Sequence, residues 1–327
     1  MNATYIMPIR QSSSDGCVEL ASYLNQLAPL LQTIVVDGSP EQVFAALHQR
    51  LHPSVVHIRP APERQAVNGK VAGVLTGVDR AGHDHLIIAD DDVRYDEQNL
   101  RRMIDLLHSA EVVRPQNYFS PLPWHARVDT ARSLLNRISG GDWPGTLGVR
   151  RSVLWTTGGY DGDVLFENLE LVRTVRAAGG REKIALDLFV RRAPAATGHF
   201  WAQRTRQAYD ELARPIRLVC SLAILPGIGL LLGKRRWSAT VALTAVSIAL
   251  AELGRRRGGG ESYFPASCSF LAPVWLLERA VFIWLALGAR VFLGGVPYRG
   301  ARMRRAATPM RILRQRHGMA HAVSTTG

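Results

Sequence analysis

Cysteine is nearly missing from this chain: its 327 residues hold three, Cys17, Cys220 and Cys268. No disulfide framework and no zinc spacing can be assembled from them. Two of the three fall in or beside apolar stretches, where cysteine behaves as a small hydrophobe. No internal repeat is visible. No Gly-x-Gly-x-x-Gly follows the first apolar run, which argues against a dinucleotide-dependent enzyme on a Rossmann sheet. The first strand-like run begins at Thr4, so no N-terminal signal or anchor is expected. No aromatic or base-reading pattern accompanies the arginines near the end, so nucleic acid is not expected as a partner.

Net charge is also missing from most of the chain. Residues 1–214 hold 24 Lys+Arg and 24 Asp+Glu. Residues 215–253 carry +3 and residues 254–327 carry +10, which accounts for the formal +13. The basic third is also apolar. Pro215 to Gly233 and Trp237 to Leu253 each approach the roughly 20 residues needed to cross a bilayer core. Phe270 to Val296 is a third apolar stretch, interrupted by Glu278, Arg279 and Arg290. Arg255-Arg256-Arg257 and the seven arginines from Arg299 to Arg316 should both lie in the cytoplasm. Three full spans would put the tail outside, so one segment is expected to be re-entrant or interfacial. Pro226, Gly227 and Gly229 mark the first segment as a candidate, and Glu278-Arg279 the third. The end of the chain is expected to be a disordered basic tail beside anionic lipid.

The most informative residues present are His85-Leu86-Ile87-Ile88-Ala89-Asp90-Asp91-Asp92. A short branched apolar run reads as a buried strand. Three adjacent carboxylates repel one another, so a strand end gains nothing from them without a cation. Mg²⁺ and Mn²⁺ take oxygen ligands and bridge protein carboxylates to substrate phosphates. Ligands of open α/β sheets bind at the C-terminal ends of the strands. In isolation an acidic turn with Asp as helix cap reads the same way. The neighbourhood tips the balance. Strands are expected at Thr4–Arg10, Thr33–Ser39 and Val55–Pro60, with a crossover helix over Cys17–Leu31 and a small-residue helix opened by Asn68-Gly69-Lys70. The alternation implies an α/β fold with a mostly parallel mixed sheet flanked by helices.

This ordered set resembles glycosyltransferase family 2, of GT-A fold. The resemblance is carried by Pro8, Asp37, Asn68-Gly69-Lys70 and Asp90 to Asp92. It continues through Gly145 to Leu154, Gly158-Gly159-Tyr160, Phe166-Glu167-Asn168-Leu169-Glu170-Leu171 and Gly179-Gly180. It covers roughly the first two thirds of the chain, and its specificity lies in the order rather than in any one motif. With apolar segments following the catalytic part, the chain looks most like the ceramide glucosyltransferase group, not distinguished from mycofactocin-type bacterial relatives. That group's (Gln/Arg)-x-x-Arg-Trp motif is kept as Gln203-Arg204-Thr205-Arg206-Gln207, without the Trp. Val296-Pro297-Tyr298-Arg299-Gly300 resembles the Trp-Arg-Gly element that closes related membrane transferases. The expected organisation is a GT-A domain over 1–206, a linker over 207–214, two or three membrane segments over 215–296 and a basic tail over 297–327.

The resemblance implies a membrane-bound hexosyltransferase. It would move a sugar from a nucleotide diphosphate sugar, expected to be a UDP-sugar, to a lipid or lipid-linked hydroxyl, with the catalytic domain on the cytoplasmic face of the cell membrane. Asp92 is expected to ligate Mg²⁺ or Mn²⁺ directly, with Asp90 on the ribose or metal, Asp91 beside the nucleotide and His199 completing the shell. Pro8, Arg10, Asp37, Arg64, Asn68 and Lys70 are expected to grip the nucleotide, since carboxylates accept base or ribose donors and cations meet phosphate. Gln203 and Arg206 would contact the departing diphosphate, and Trp201 would stack on acceptor or sugar. In the family a Glu-Asp pair opens a helix and its Asp deprotonates the acceptor. Here the pair is Glu167-Asn168, and an amide cannot take a proton. Glu167 or, in the preceding loop, Asp161 or Asp163 must take the role; a helix start favours ionised Glu167. Glu167 and Glu170 with Arg173 fit a solvated helix face equally well. Two alternatives stay open: a polyprenyl-phosphate sugar transferase, whose acceptor needs less base help, and a non-catalytic membrane protein keeping the nucleotide-sugar fold.

Overall fold

The computed structural model describes residues 1–298 and 301–324. β1 (Thr4–Ile9), α1 (Cys17–Leu27), β2 (Gln32–Asp37), α2 (Glu41–His48), β3 (Val56–Ile58), α3 (Gly69–Arg80) and β4 (His85–Ala89) alternate, as the sequence predicts. They are followed by β5 (Val93–Arg94), α4 (Glu97–Leu107), β6 (Val112–Phe119), α5 (Trp124–Ile138), β7 (Thr146–Arg150), α6 (Arg151–Thr156), α7 (Glu167–Ala177) and β8 (Glu182–Arg192). The strands form one sheet in the order β3-β2-β1-β4-β7-β6-β8-β5. β1, β2, β3 and β4 are mutually parallel, with Ile6 opposite both Ile34 and Ile88. β7 runs antiparallel to β4, setting Ala89 opposite Thr146. Every residue of β4 is buried, which is why it reads as an unbroken apolar run.

The start of α3 is fixed by chemistry local to it. The Asn68 side chain caps the helix by accepting the Lys70 backbone N–H at 3.1 Å. Its small residues let the helix lie against β1: a Cβ at Gly73 would sit 2.9 Å from Pro8 Cβ, and one at Gly77 would collide with Ile6. Beyond the last turn of α7 comes Gly179, whose φ of 87° suits the left-handed turn after a helix.

The chain divides into two compact units. One comprises Met1–Pro115, Pro144–Val190 and the residues from Thr308 onward; the other comprises Gln116–Trp143 and Arg191–Ala307. The second unit holds α8 (Thr197–Tyr209), α9 (Pro215–Gly233), α10 (Trp237–Arg256), α11 (Ala272–Phe292) and a hairpin of β9 (Val296–Tyr298) with β10 (Ala301–Met303). Residues 207–214, expected as a linker, are largely helical: α8 runs into a 3-10 turn over Asp210–Ala213. Three apolar helical stretches, Pro215–Gly233, Trp237–Ser262 and Ala266–Phe292, are long and apolar enough to cross a membrane. Glu278 and Arg279 are turned inward: Glu278 pairs with Arg204 at 3.5 Å and Arg279 is buried.

The end of the chain differs from the disordered tail expected of it. α12 (Met310–Ser324) belongs to the first unit and packs along α7. Nor is Glu170 on a solvated face. It is fully buried and accepts the Thr308 backbone N–H at 2.6 Å. Helical spacing alone could not reveal this, because the partner lies 138 residues away.

Candidate active site

The chain turns sharply where β4 ends. The Asp90 N–H donates to the Gly145 carbonyl at 2.8 Å, and the Val93 N–H donates to the Asp90 carbonyl at 3.1 Å. Arg94 Nη1 donates to the Asp91 carbonyl at 2.5 Å, holding the acidic turn from beyond it. Lys70 lies in the first turn of α3. Its Nζ lies 2.5 Å from Asp90 Oδ1 and 2.7 Å from Glu167 Oε1, and its side chain is 18% exposed. Burial alone would lower the Lys70 ammonium; the two carboxylates outweigh that and hold it above the ordinary lysine value. Tyr160 is buried beside them. Burial and the charges of Glu167 and Asp90 raise its hydroxyl, against the pull of Lys70.

A strand end and the starts of two helices thus converge on one ammonium. The sequence reading placed Lys70 and Asp90 on the donor and Glu167 on the acceptor. It missed that a single cation joins them, and it missed Tyr160 as a neighbour. Lys70 and Glu167 are 97 residues apart, so no local pattern announces the pair.

The loop before α7 serves α3 as well. The Asn68 N–H donates to the Gly162 carbonyl at 2.9 Å, and its side-chain amide donates to the Val164 carbonyl at 3.3 Å. Asp163, a candidate base, accepts the Val67 N–H at 3.2 Å, and its own N–H donates to Asp161 at 2.8 Å. Asp163 therefore shapes the loop. Asn168 donates its amide to the Pro144 carbonyl at 2.9 Å.

Four further residues expected at the nucleotide have surroundings of their own. Asp37 is fully buried: one oxygen accepts the Ser39 N–H at 2.7 Å and the other meets His57 Nε2 at 3.1 Å. Burial raises the Asp37 carboxyl, but the bonds from His57 and Ser39 outweigh this and hold it below the usual carboxylate range. Phe44 stacks on His57 at 4.0 Å, closing over the pair. Both acceptor oxygens are engaged within the protein, because a carboxylate at a buried strand end takes its nearest donors. Arg64 forms a bidentate pair with Asp79, both bonds 2.8 Å, and so turns along α3. Pro8 packs under Gly73. Arg10 is exposed after β1.

His199, Trp201, Gln203 and Arg206 all lie on α8, in the second unit. His199 hydrogen-bonds Gln203 one turn later. The Arg206 guanidinium lies 5.5 Å from the Tyr298 ring centroid. Trp201 is half exposed, with ring centroids of Trp124 and Phe282 at 6.2 and 6.4 Å. Arg299 and Gly300, of the closing element, lie outside the described residues. Among the described residues no three His, Cys, Asp or Glu side chains converge as a metal cage. The carboxylates at Asp90 to Asp92 are hard oxygen donors of the kind that hold a cation jointly with substrate phosphates. They suit a cation shared with a diphosphate better than one held by protein alone.

Residues 18–156 match the family model for Glycosyl transferase family 2. Over that stretch, less than half of its length, the chain is similar to glycosyltransferase family 2. The match includes Asp37, Lys70 and Asp90 to Asp92, and ends before Glu167. Among solved structures, the chain is similar to the mannosyltransferase PcManGT from Pyrobaculum calidifontis, in complex with GDP-Man and Mn²⁺. The identity is 18%, 86% of this chain and 87% of that one are covered, and the TM-score is 0.50. It also matches S. aureus TarS 1-349 in complex with UDP-GlcNAc, at 16% identity over 62% and 61% of the two chains, TM-score 0.40. A further match is glucosyl-3-phosphoglycerate synthase from Mycobacterium tuberculosis with Mn²⁺, UDP and phosphoglyceric acid, at 14% identity over 63% and 76%, TM-score 0.43. No curated protein matches the sequence significantly. The sheet and its flanking helices are a GT-A fold, the architecture of the archaeal mannosyltransferase.

Proposed function

We propose that the chain transfers a sugar from a nucleoside diphosphate sugar to a lipid or lipid-linked hydroxyl at the cytoplasmic face of the cell membrane. The observation that carries this reading is the Asp90–Lys70–Glu167 bridge, where a strand end meets the starts of two helices. Its ammonium is placed to receive a diphosphate, and its two carboxylates serve opposite needs. Glu167 takes the proton from the acceptor hydroxyl as the acceptor oxygen bonds to the anomeric carbon. The bond from that carbon to the diphosphate oxygen breaks, and the electron pair leaves on the nucleotide. Lys70 pairs with the negative charge that develops there. Asp92 and Asp90 are the residues that would hold Mg²⁺ or Mn²⁺, which when bound supplies further neutralisation of the diphosphate. The membrane-length helices and the half-exposed Trp124 and Trp201 support an acceptor drawn from lipid.

A second reading is favoured by Asn168. The usual base position is given to a loop contact with Pro144, and a lipid phosphate acceptor would need no base. Purified full-length chain in detergent, given labelled UDP- and GDP-sugars and a membrane lipid extract, tests both. Label entering the organic phase, and falling strongly with Glu167→Gln, supports the hydroxyl acceptor. Lipid labelling unchanged by Glu167→Gln supports the phosphate acceptor. No lipid labelling from any donor removes both.

A further inference from the structure

α7 begins at Glu167 without a side-chain cap. The residue before it, Phe166, makes no side-chain cap bond, so the position of the helix start depends on tertiary contacts. One contact comes from the far end of the chain. Glu170 lies on the same face one turn after Glu167 and is fully buried, where a carboxylate needs a partner. Its Oε2 accepts the Thr308 backbone N–H at 2.6 Å. The Thr308 carbonyl accepts Arg173 Nη1 at 3.1 Å, so Thr308 is held from both sides by α7. From there α12 continues along α7, burying Leu313, and Arg316 comes within 3.9 Å of Asp161. Asp161 receives the N–H of Asp163, and Asp163 receives the N–H of Val67 beside Asn68. The C-terminal segment therefore touches the helix that carries Glu167 and the loop that braces the cap of the helix carrying Lys70.

We propose that Glu170 and Thr308 are positioning residues for sugar transfer, holding α7 at the register where Glu167 meets Lys70. The inference rests on the role given to Glu167 above. Small displacements of a reacting group are costly, with about 1 Å able to cost about 100-fold in rate. A short hydrogen bond to a buried carboxyl group is a strong way to prevent such displacement, because the buried acceptor has no water to turn to.

Thr308→Pro removes the donor N–H, and Glu170→Leu removes the acceptor; Glu170→Gln keeps an acceptor oxygen. In the full-length enzyme, Thr308→Pro and Glu170→Leu should lower kcat by about 10–100-fold. KM for the nucleotide sugar should stay within about twofold, because the loss lies in the transition state. Glu170→Gln should keep most of the rate. In a Glu167→Gln background, Thr308→Pro should add little further loss, since both act through one group. Wild-type kcat in Thr308→Pro and Glu170→Leu, beside a crippled Glu167→Gln, overturns the clamp alone. So does an undiminished effect of Thr308→Pro in the Glu167→Gln background, or a Glu170→Gln enzyme as slow as Glu170→Leu. Wild-type transfer by Glu167→Gln overturns the base reading and the clamp together.

Discussion

The Asn168 side-chain amide donates a hydrogen bond to the Pro144 carbonyl at 2.9 Å. The next residue, Gly145, accepts the Asp90 N–H. Asn168 thus secures the loop that turns the acidic strand end. Asn168→Asp would set a carboxylate against a carbonyl and remove the donor. An unmade bond of this kind costs about 1–3 kcal/mol. The variant should unfold at lower denaturant than wild type and gain no activity. A more active variant of unchanged stability would show that the position still serves as a base.

Lys70 faces Asp90 and Glu167 at once. Lys70→Met leaves two carboxylates together without their cation, in the place proposed for the diphosphate. Hydrogen bonds to charged groups contribute about 1.5–3 kcal/mol each, so nucleotide affinity should fall by about tenfold or more. Titration calorimetry with UDP and GDP would check it. Unchanged affinity for both would remove Lys70 from the donor site.

Asp92→Asn, and separately excess chelator, should each remove most transfer while the far-UV spectrum stays unchanged. The reason is electrostatic: the leaving diphosphate adds negative charge to a turn that already carries three carboxylates. Full activity in chelator would exclude a divalent cation from the reaction.

Asp37 gives a pH signature. Its folded carboxyl lies below the usual range because His57 and Ser39 bond the ionised form. That stabilisation is complete above the unfolded carboxylate value and is lost as pH falls through it towards the lowered native value. Wild type should lose stability between about pH 5 and pH 3, and Asp37→Asn should show a shallower acid limb. Superimposable acid limbs in thermal unfolding would rule the contribution out.

Much of the first unit was legible because its parallel strands are buried on both faces. β1, β2 and β4 are apolar runs bounded by Pro, Gly or Asp, and the Asn68 cap marks α3 unaided. β6 was not legible: Val112–Phe119 contains Arg114, Pro115, Gln116 and Asn117, so no alternation survives. Asp90's place at a strand end was legible because strand-end acids are a local signal. The burial of Asp37, the Arg64–Asp79 pair and the Lys70–Glu167 contact were not, since each is decided by which distant donor arrives first. The same holds for Glu170, where helical spacing suggested solvent and the fold supplied Thr308.

The bond between Glu170 and Thr308 carries a parity. Glu170 precedes the three apolar helices and Thr308 follows them. Two groups 2.6 Å apart share one side of any bilayer. If these helices enter a bilayer, the polypeptide between the two residues crosses it an even number of times, and three full spans are not expected. One of them is then expected to enter and leave by the same face or lie along it, whatever its length and composition allow.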